Sequence, residues 1–241
     1  MTRFYLILLS MVFVGCSADK VNDTDVLNDF LNEKELVFDN VIACAASNLN
    51  DQKVSVFFYP RTGAMNFQYF ETETSLSDKN DLENYIKKAY PLKEIFNGYL
   101  MKFEIEAETE KWAIVTYEEA GKTHLSNPIR LKQISKPTEY LPENISIGTA
   151  SEMPLFSWQD GVYSDTKIYF QVVSDVDDNL LSGTYTYDKM FTYYELDNVV
   201  LNITKTVPPI LKTGDSYNFT LMGVSEDNWV NQFSIVDFEI R

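Results

Sequence analysis

His124 is the only histidine in the chain, and Cys16 and Cys44 are its only cysteines. A nucleophilic hydrolase needs a base beside its nucleophile, and a histidine-rich metal site needs several imidazoles. His124, in "GKTHLSN" on a predicted exposed hairpin, supplies neither, and no Gly-x-Ser-x-Gly pattern is present. Cys44 stands in the apolar run "VIACAASN" and is expected to be a small buried core residue. Paired carboxylates can hydrolyse glycosides, but acids are spread through the chain and their spacing singles out no pair. There are only nine glycines, and none builds a phosphate-cradling loop. The chain is expected not to be an enzyme.

Two constellations point to binding instead. Asp175, Asp177 and Asn179 in "SDVDDNLLSGTY" have the alternate spacing that begins a calcium loop. The sixth position is Leu180 rather than glycine and the twelfth is Thr186 rather than glutamate, so the EF-hand pattern fails. A solvated hairpin turn is expected there, with a loose calcium site as the alternative. No cofactor other than a covalent lipid is expected. The second constellation is aromatic. "KMFTYYELDN" breaks strict alternation, so its rings cannot all face one core, and Trp229 in "SEDNWVNQ" is flanked by polar residues. Phe191, Tyr193, Tyr194 and Trp229 form the candidate ligand platform, because tyrosine and tryptophan offer an apolar face and a polar tip to sugars or to a protein. Trp112 and Trp158 lie in strand patterns and are expected in the core.

The chain has 241 residues and a net charge of −16. That balance disfavours nucleic acid, whose binding needs a basic footprint. It equally disfavours electrostatic attachment to anionic lipid. With 45% hydrophobic and 14% aromatic residues, a substantial core is available.

The N-terminus reads "FYLILLSMVFVGCSADK". Its apolar run is shorter than the roughly 20 residues that a spanning helix needs. A cation, a short apolar centre and then small residues give the form of a secretory signal. "FVGC" resembles the lipobox of bacterial lipoproteins, with Phe13 where leucine is commoner. The resemblance implies cleavage before Cys16 and acylation of Cys16. Several acyl chains on one residue make a stable anchor where a single chain holds only marginally. Ser17 after the cysteine implies, by the same resemblance, sorting to the outer membrane. If Cys16 carries lipid, Cys44 has no cysteine left with which to form an intramolecular disulfide.

Beyond the leader, residues 16–36 are read as a tether followed by a short helix with Leu27, Phe30 and Leu31 on one face. From about Val37 the runs become rich in Val, Phe, Tyr and Ile and are separated by turn clusters, which predicts strands. The spacing of Leu82, Tyr85, Ile86 and Ala89, with Asp78 or Asn80 as cap and Pro91 as stop, predicts a helix inserted over 80–90. "EEAGKT" predicts a hairpin turn. Residues 134–146, with Pro137 and Pro142, are read as a linker between sandwich domains at 37–133 and 147–241, and residues 1–15 as the signal peptide. "KWAIVTYEEAGKTHLSNPIRL" in the first half and "PLFSW" with "GDSYNFTLMGVSEDNWVNQFSIVDFEI" in the second resemble fibronectin type III or immunoglobulin-like modules. The fold class expected is therefore mostly β, as two antiparallel β-sandwiches. Acidic, aromatic-rich modules behind a lipobox also look similar to surface lipoproteins of Bacteroidetes-type glycan-uptake systems. The resemblance implies a lipid-anchored envelope protein that captures a polysaccharide or protein partner, or alternatively a structural subunit of an envelope complex. Cys16→Ser is expected to abolish metabolic labelling with palmitate and to leave the leader uncleaved; labelling at the wild-type level would defeat the anchoring argument.

Overall fold

A computed structural model of the chain describes residues 25–241. Cys16 and the proposed tether up to residue 24 lie outside the described residues. The fold is mostly β, and its strands form four sheets. Leu36–Val41, Lys122–Ser126, Trp112–Glu119, Met65–Glu71 and Ile86–Lys88 form the first in that order, with Ile129–Arg130 also paired to Trp112–Glu119. Ala43–Ser47, Lys53–Phe58, Leu100–Glu106 and Leu92–Ile95 form the second. The third runs Glu139–Tyr140, Val230–Glu239, Ser216–Ser225, Thr166–Asp175, Leu180–Thr186, Val199–Asn202. Ile145–Ile147, Leu155–Trp158 and Met190–Thr192 make the fourth.

The period of two along each strand explains how these sheets stack. Val54, Val56 and Phe58 point into a core shared with Tyr69, Val115 and Tyr117 of the first sheet, which closes the first sandwich. Phe57 points the other way. There it meets Phe170, Met222 and Val224 on the back of the third sheet. The front of the third sheet, through Tyr169, Phe219 and Phe238, packs on Phe156, Trp158 and Phe191 of the fourth. The second and third sheets thus have apolar residues on both faces, and the two sandwiches meet back to back over part of their area. Asp177, Asp178 and Asn179 at a hairpin end extend this contact. The Phe96 amide donates to the Asp178 carboxylate at 3.2 Å, and the Asn97 amide group donates to the Asp177 carbonyl at 3.1 Å and the Asn179 side chain at 2.8 Å.

Leu27–Phe30 forms one helical turn, with Leu27 and Leu31 buried against Phe70, Ile114 and Leu125 on the outer face of the first sheet. The helix expected over 80–90 is reduced to the 3-10 turn Leu82–Asn84, capped by the Asp81 carboxylate. The edge of Met65–Glu71 recruits the following residues as a strand, pairing Phe70 with Lys87 and Glu71 with Ile86. A short isolated helix is marginal because its nucleus is costly, whereas an open sheet edge offers backbone partners at once. Tyr85 is still buried, as the helical spacing required, but it is buried by a strand. The predicted turn at Ala120 and Gly121 is present, both residues having φ near the left-handed region at 50° and 79°, as a two-residue hairpin turn demands. Among the described residues no helix is long and apolar enough to cross a membrane.

The hairpin turn that joins Ser216–Ser225 to Val230–Glu239 belongs to the second sandwich, yet its Trp229 is fully buried in the core of the first, beside Ala45, Val54 and Ile129. The indole nitrogen donates to the Lys136 carbonyl at 2.8 Å. Backbone bonds flank it: the Ala45 amide donates to the Asn228 carbonyl at 3.0 Å and the Arg130 amide to the Asp227 carbonyl at 2.9 Å. Residues 134–146 run beside this turn and are not slack. Thr138 exchanges hydrogen bonds with Ser47 at 3.0 and 2.7 Å and donates to the Val230 carbonyl at 2.8 Å, while the Tyr140 hydroxyl donates to the Ser47 carbonyl at 2.9 Å. Truncating a buried tryptophan costs about 3–5 kcal/mol. Trp229→Ala is therefore expected to destabilise the whole chain by that amount in denaturant titration and to open the 134–146 segment to limited proteolysis. Trp158→Ala, which empties only the second sandwich, is expected to destabilise without creating that cleavage site.

Candidate functional site

The four aromatic residues expected to form one exposed platform do not do so. Phe191 is buried in the second sandwich, in a strand that pairs with Leu155–Trp158, so its ring faces the core. Tyr193 is buried as well, and its hydroxyl donates to the Pro209 carbonyl at 2.6 Å. Trp229 is enclosed by the other sandwich. Tyr194 alone is partly exposed; it lies edge-on to Phe191 and Tyr193, and its hydroxyl accepts from Asn202 at 2.5 Å. The break in alternation at Tyr193–Tyr194 marks the end of a strand, where the chain turns and both faces of the loop find core partners. It does not mark an exposed ring surface.

The remaining singled-out residues are equally constrained. His124 is buried, contrary to the exposed hairpin expected. It sits within the strand Lys122–Ser126 rather than in its turn, stacked on Tyr117 with ring centroids 5.2 Å apart, and its Nε2 is 3.3 Å from the Glu119 carboxylate. At the Asp175 loop, the Asp175 carboxylate accepts from the amides of Asp177 and Asn179 at 3.0 and 2.9 Å and from the Asn179 side chain. Asp178 turns instead to the first sandwich. The loop's oxygens therefore diverge, and among the described residues no group of three or more His, Cys, Asp or Glu side chains is placed to share a metal ion. Trp158 is in the core as expected, and Trp112 is half-buried, its indole nitrogen donating to the Ser75 carbonyl at 3.2 Å.

Two of the concavities among the described residues use side chains that sequence reasoning did not single out. The first is a groove on the second sandwich, formed by the loop over 203–210. Tyr194, Leu196, Val207 and Ile210 line it together with Met153. Val207 is 92% and Ile210 69% exposed, and in this groove they lie together with the partly exposed Met153 and Leu196. Beside it, Val199–Asn202 is the last strand of the third sheet and pairs on one side only, with Leu180–Thr186. Lys205 follows, its ammonium 4.7 Å from the Tyr99 ring and 5.4 Å from that of Tyr59. The "TVPPI" stretch carried a signal that went unused: two prolines deny the loop a strand partner while Val207 and Ile210 remain apolar.

The second concavity is a cleft of about 250 Å³ where the two sandwiches meet. Cys44, Phe57 and Tyr59 of the first sandwich face Phe170, Tyr185 and Met222 of the second across it. Asp39 and Asn127, both exposed, stand at its mouth. The Cys44 sulfur lies 4.0 Å from that of Met222, and the Tyr185 ring stacks on Phe170 at 4.5 Å. Burial pushes the Cys44 thiol up to about 12 and raises the Tyr185 hydroxyl well above its ordinary range, Cys44 adding to the latter. Cys44, expected to be a buried core residue, has apolar surroundings but is only partly buried and lines an opening.

No protein-family model matches the chain, and no curated protein matches it. Among solved structures, the FN1-FN3 domains of chicken CNTN1 align with a TM-score of 0.29 and 15% identity, covering 86% of this chain and 68% of that one. A selenomethionine-substituted chicken interferon gamma receptor alpha chain aligns with a TM-score of 0.27 and 10% identity, covering 84% of this chain and 97% of that one.

The thiolate is the reactive form of cysteine. Burial, which pushes the Cys44 thiol up to about 12, leaves very little of it as thiolate at pH 8. Modification of Cys44 by a maleimide at pH 8 is expected to be at least about a hundredfold slower in the folded protein than in urea; equal rates would show that the cleft is wetter and more open than its walls imply.

Proposed function

We propose that the protein is a lipid-anchored component of the bacterial cell envelope, held by acylated Cys16 in the outer membrane, and that it acts by binding another envelope protein without chemistry of its own. Support for the anchor comes from the leader and from its cysteine. The groove around Val207 and Ile210 carries the binding reading. Contiguous exposed apolar surface on a chain that can build a core marks an interaction site, and the neighbouring open edge of Val199–Asn202 offers backbone groups to an extended partner segment. A net charge of −16 favours a neutral or basic partner segment and gives nucleic acid no electrostatic foothold.

A polysaccharide ligand is the weaker reading, because sugar rings stack on open aromatic faces and three of the four candidate rings are in cores. If the same groove docks a permanent neighbour, the protein is a structural subunit. Extraction as a stoichiometric complex then separates that role from transient capture.

A photoreactive amino acid at position 207 in the full, membrane-bound chain is expected to give one discrete protein adduct, and the same probe at Leu76, which is 94% exposed outside the groove, is expected to give none. Ile210→Asp should remove the adduct while shifting the thermal midpoint little, since the side chain is exposed. Identical adducts from both positions, or none from position 207, would sink the proposal.

A further inference from the structure

The cleft at the junction of the sandwiches has a composition that selects its ligand. Its floor and walls are aromatic, aliphatic and sulfur-bearing: Phe57, Phe170, Tyr185, Met222 and Val224, with Cys44 between them. The one ionisable carboxylate bordering it is Asp39, at the exposed mouth. Each wall belongs to a different sandwich, so the cleft exists only because the Trp229 turn and the strap over 136–140 fix one sandwich against the other. Sites of this kind, concave and mainly apolar with few polar groups, occur preferentially at such interfaces.

Two observations narrow the ligand further. A dry apolar cavity of about 150 Å³ accommodates benzene, so a cleft of about 250 Å³ admits a molecule of roughly ten non-hydrogen atoms. Tyr185 lines this space, and among the described residues its hydroxyl has no hydrogen-bond partner, although those of Tyr99, Tyr140, Tyr169 and Tyr193 each make one. A phenol in an apolar wall gains most from a single acceptor presented by the ligand. Charge completes the selection. An anion would have to pass Asp39 on a chain of net charge −16 and lose its hydration against carbon and sulfur. A neutral molecule avoids both costs.

We infer that the junction cleft is a binding site for a small, uncharged, mainly apolar molecule that presents one carbonyl or hydroxyl oxygen to Tyr185. The cleft shares no lining residue with the groove at Val207. Met222 takes part in the floor and lies beside Cys44, so a bound ring or chain contacts its methyl group. Leu201, on the edge strand of the third sheet, borders the same opening.

Methyl-labelled methionine in the full chain, reconstituted in lipid nanodiscs, reads the site directly. Acetophenone, a neutral aromatic ketone of the right size, is expected to shift the Met222 methyl resonance saturably while leaving the exposed Met65 and Met153 unmoved. Benzoate, nearly the same shape with a carboxylate, is expected to leave Met222 unmoved. Tyr185→Phe should raise the dissociation constant for acetophenone about tenfold, the factor for losing one hydrogen bond. Cys44→Leu, which fills the cleft with an apolar side chain, should abolish the shift with the spectrum otherwise that of the folded protein. A Met222 resonance indifferent to acetophenone, an equal shift at Met153, equal binding of benzoate, or full affinity in Tyr185→Phe would each overturn the inference. None of these outcomes bears on crosslinking from position 207.

Discussion

The position of Trp229 governs the rest of the molecule. A hairpin turn of the second sandwich carries one of the protein's three tryptophans across into the first sandwich, where it is wholly buried and donates its indole hydrogen to the Lys136 carbonyl. Tandem β-sandwiches joined by a free linker are independent bodies by default, since interdomain contacts are usually modest and polar. Here a buried aromatic and flanking backbone bonds replace that freedom. The Asn228 side chain adds a donor to the Pro128 carbonyl at 3.1 Å, and Lys132 pairs with Asp227 at 2.5 Å. The polar groups of the turn are thus satisfied by the sandwich they enter, which is the condition for burying them at all.

Fixing that turn brings the backs of two sheets together, and the consequences differ along the contact. Where Phe57 meets Phe233 and Phe170 stacks on Tyr185, the faces are apolar and close. Toward the other end of the second sheet, the same face carries Lys93, Lys102 and Glu104, joined as surface ion pairs. The Lys93 ammonium hydrogen-bonded to Glu104 holds that carboxyl below its usual range, but so exposed a pair contributes little stability. The back face therefore changes from apolar to charged along its length. The cleft lies within the apolar part.

The first sandwich also encloses charge. Glu71 is buried, 2.9 Å from the Lys111 ammonium, and accepts from the Tyr69 hydroxyl at 3.2 Å and the Tyr90 hydroxyl at 3.4 Å. Burial, with Glu71 next, raises Tyr69 well above its ordinary range, and the same two causes push Tyr90 up to about 12. A buried pair of this kind contributes less to stability than its geometry suggests, because both ions were desolvated to make it. Removing either partner leaves the other uncompensated, so this cluster ties Met65–Glu71 to the segment that enters Trp112–Glu119.

The sequence alone determined the fold class, the turn at Ala120–Gly121, the apolar helical turn at Leu27–Phe30 and the surroundings of Cys44, because each follows from local periodicity, turn chemistry or composition. Hydrophobic spacing over 80–90 correctly marked Tyr85 as buried but assigned the wrong element, since a sheet edge at Glu71 outcompeted a helix that local pattern could not compare with it. The candidate site was least legible. Polar neighbours around Trp229 describe a turn correctly, but whether a turn faces water or another sandwich is set by residues over ninety positions away, such as Lys136 and Ala45. Tyr193, covered by the Pro209 loop, and His124, stacked on Tyr117 across its hairpin, are buried by nearer neighbours whose packing local pattern does not specify. Only the tertiary structure decided which aromatics are core, and only it assembled the Cys44–Tyr185–Met222 cleft, because its walls come from strands that share no local signal and meet solely through packing.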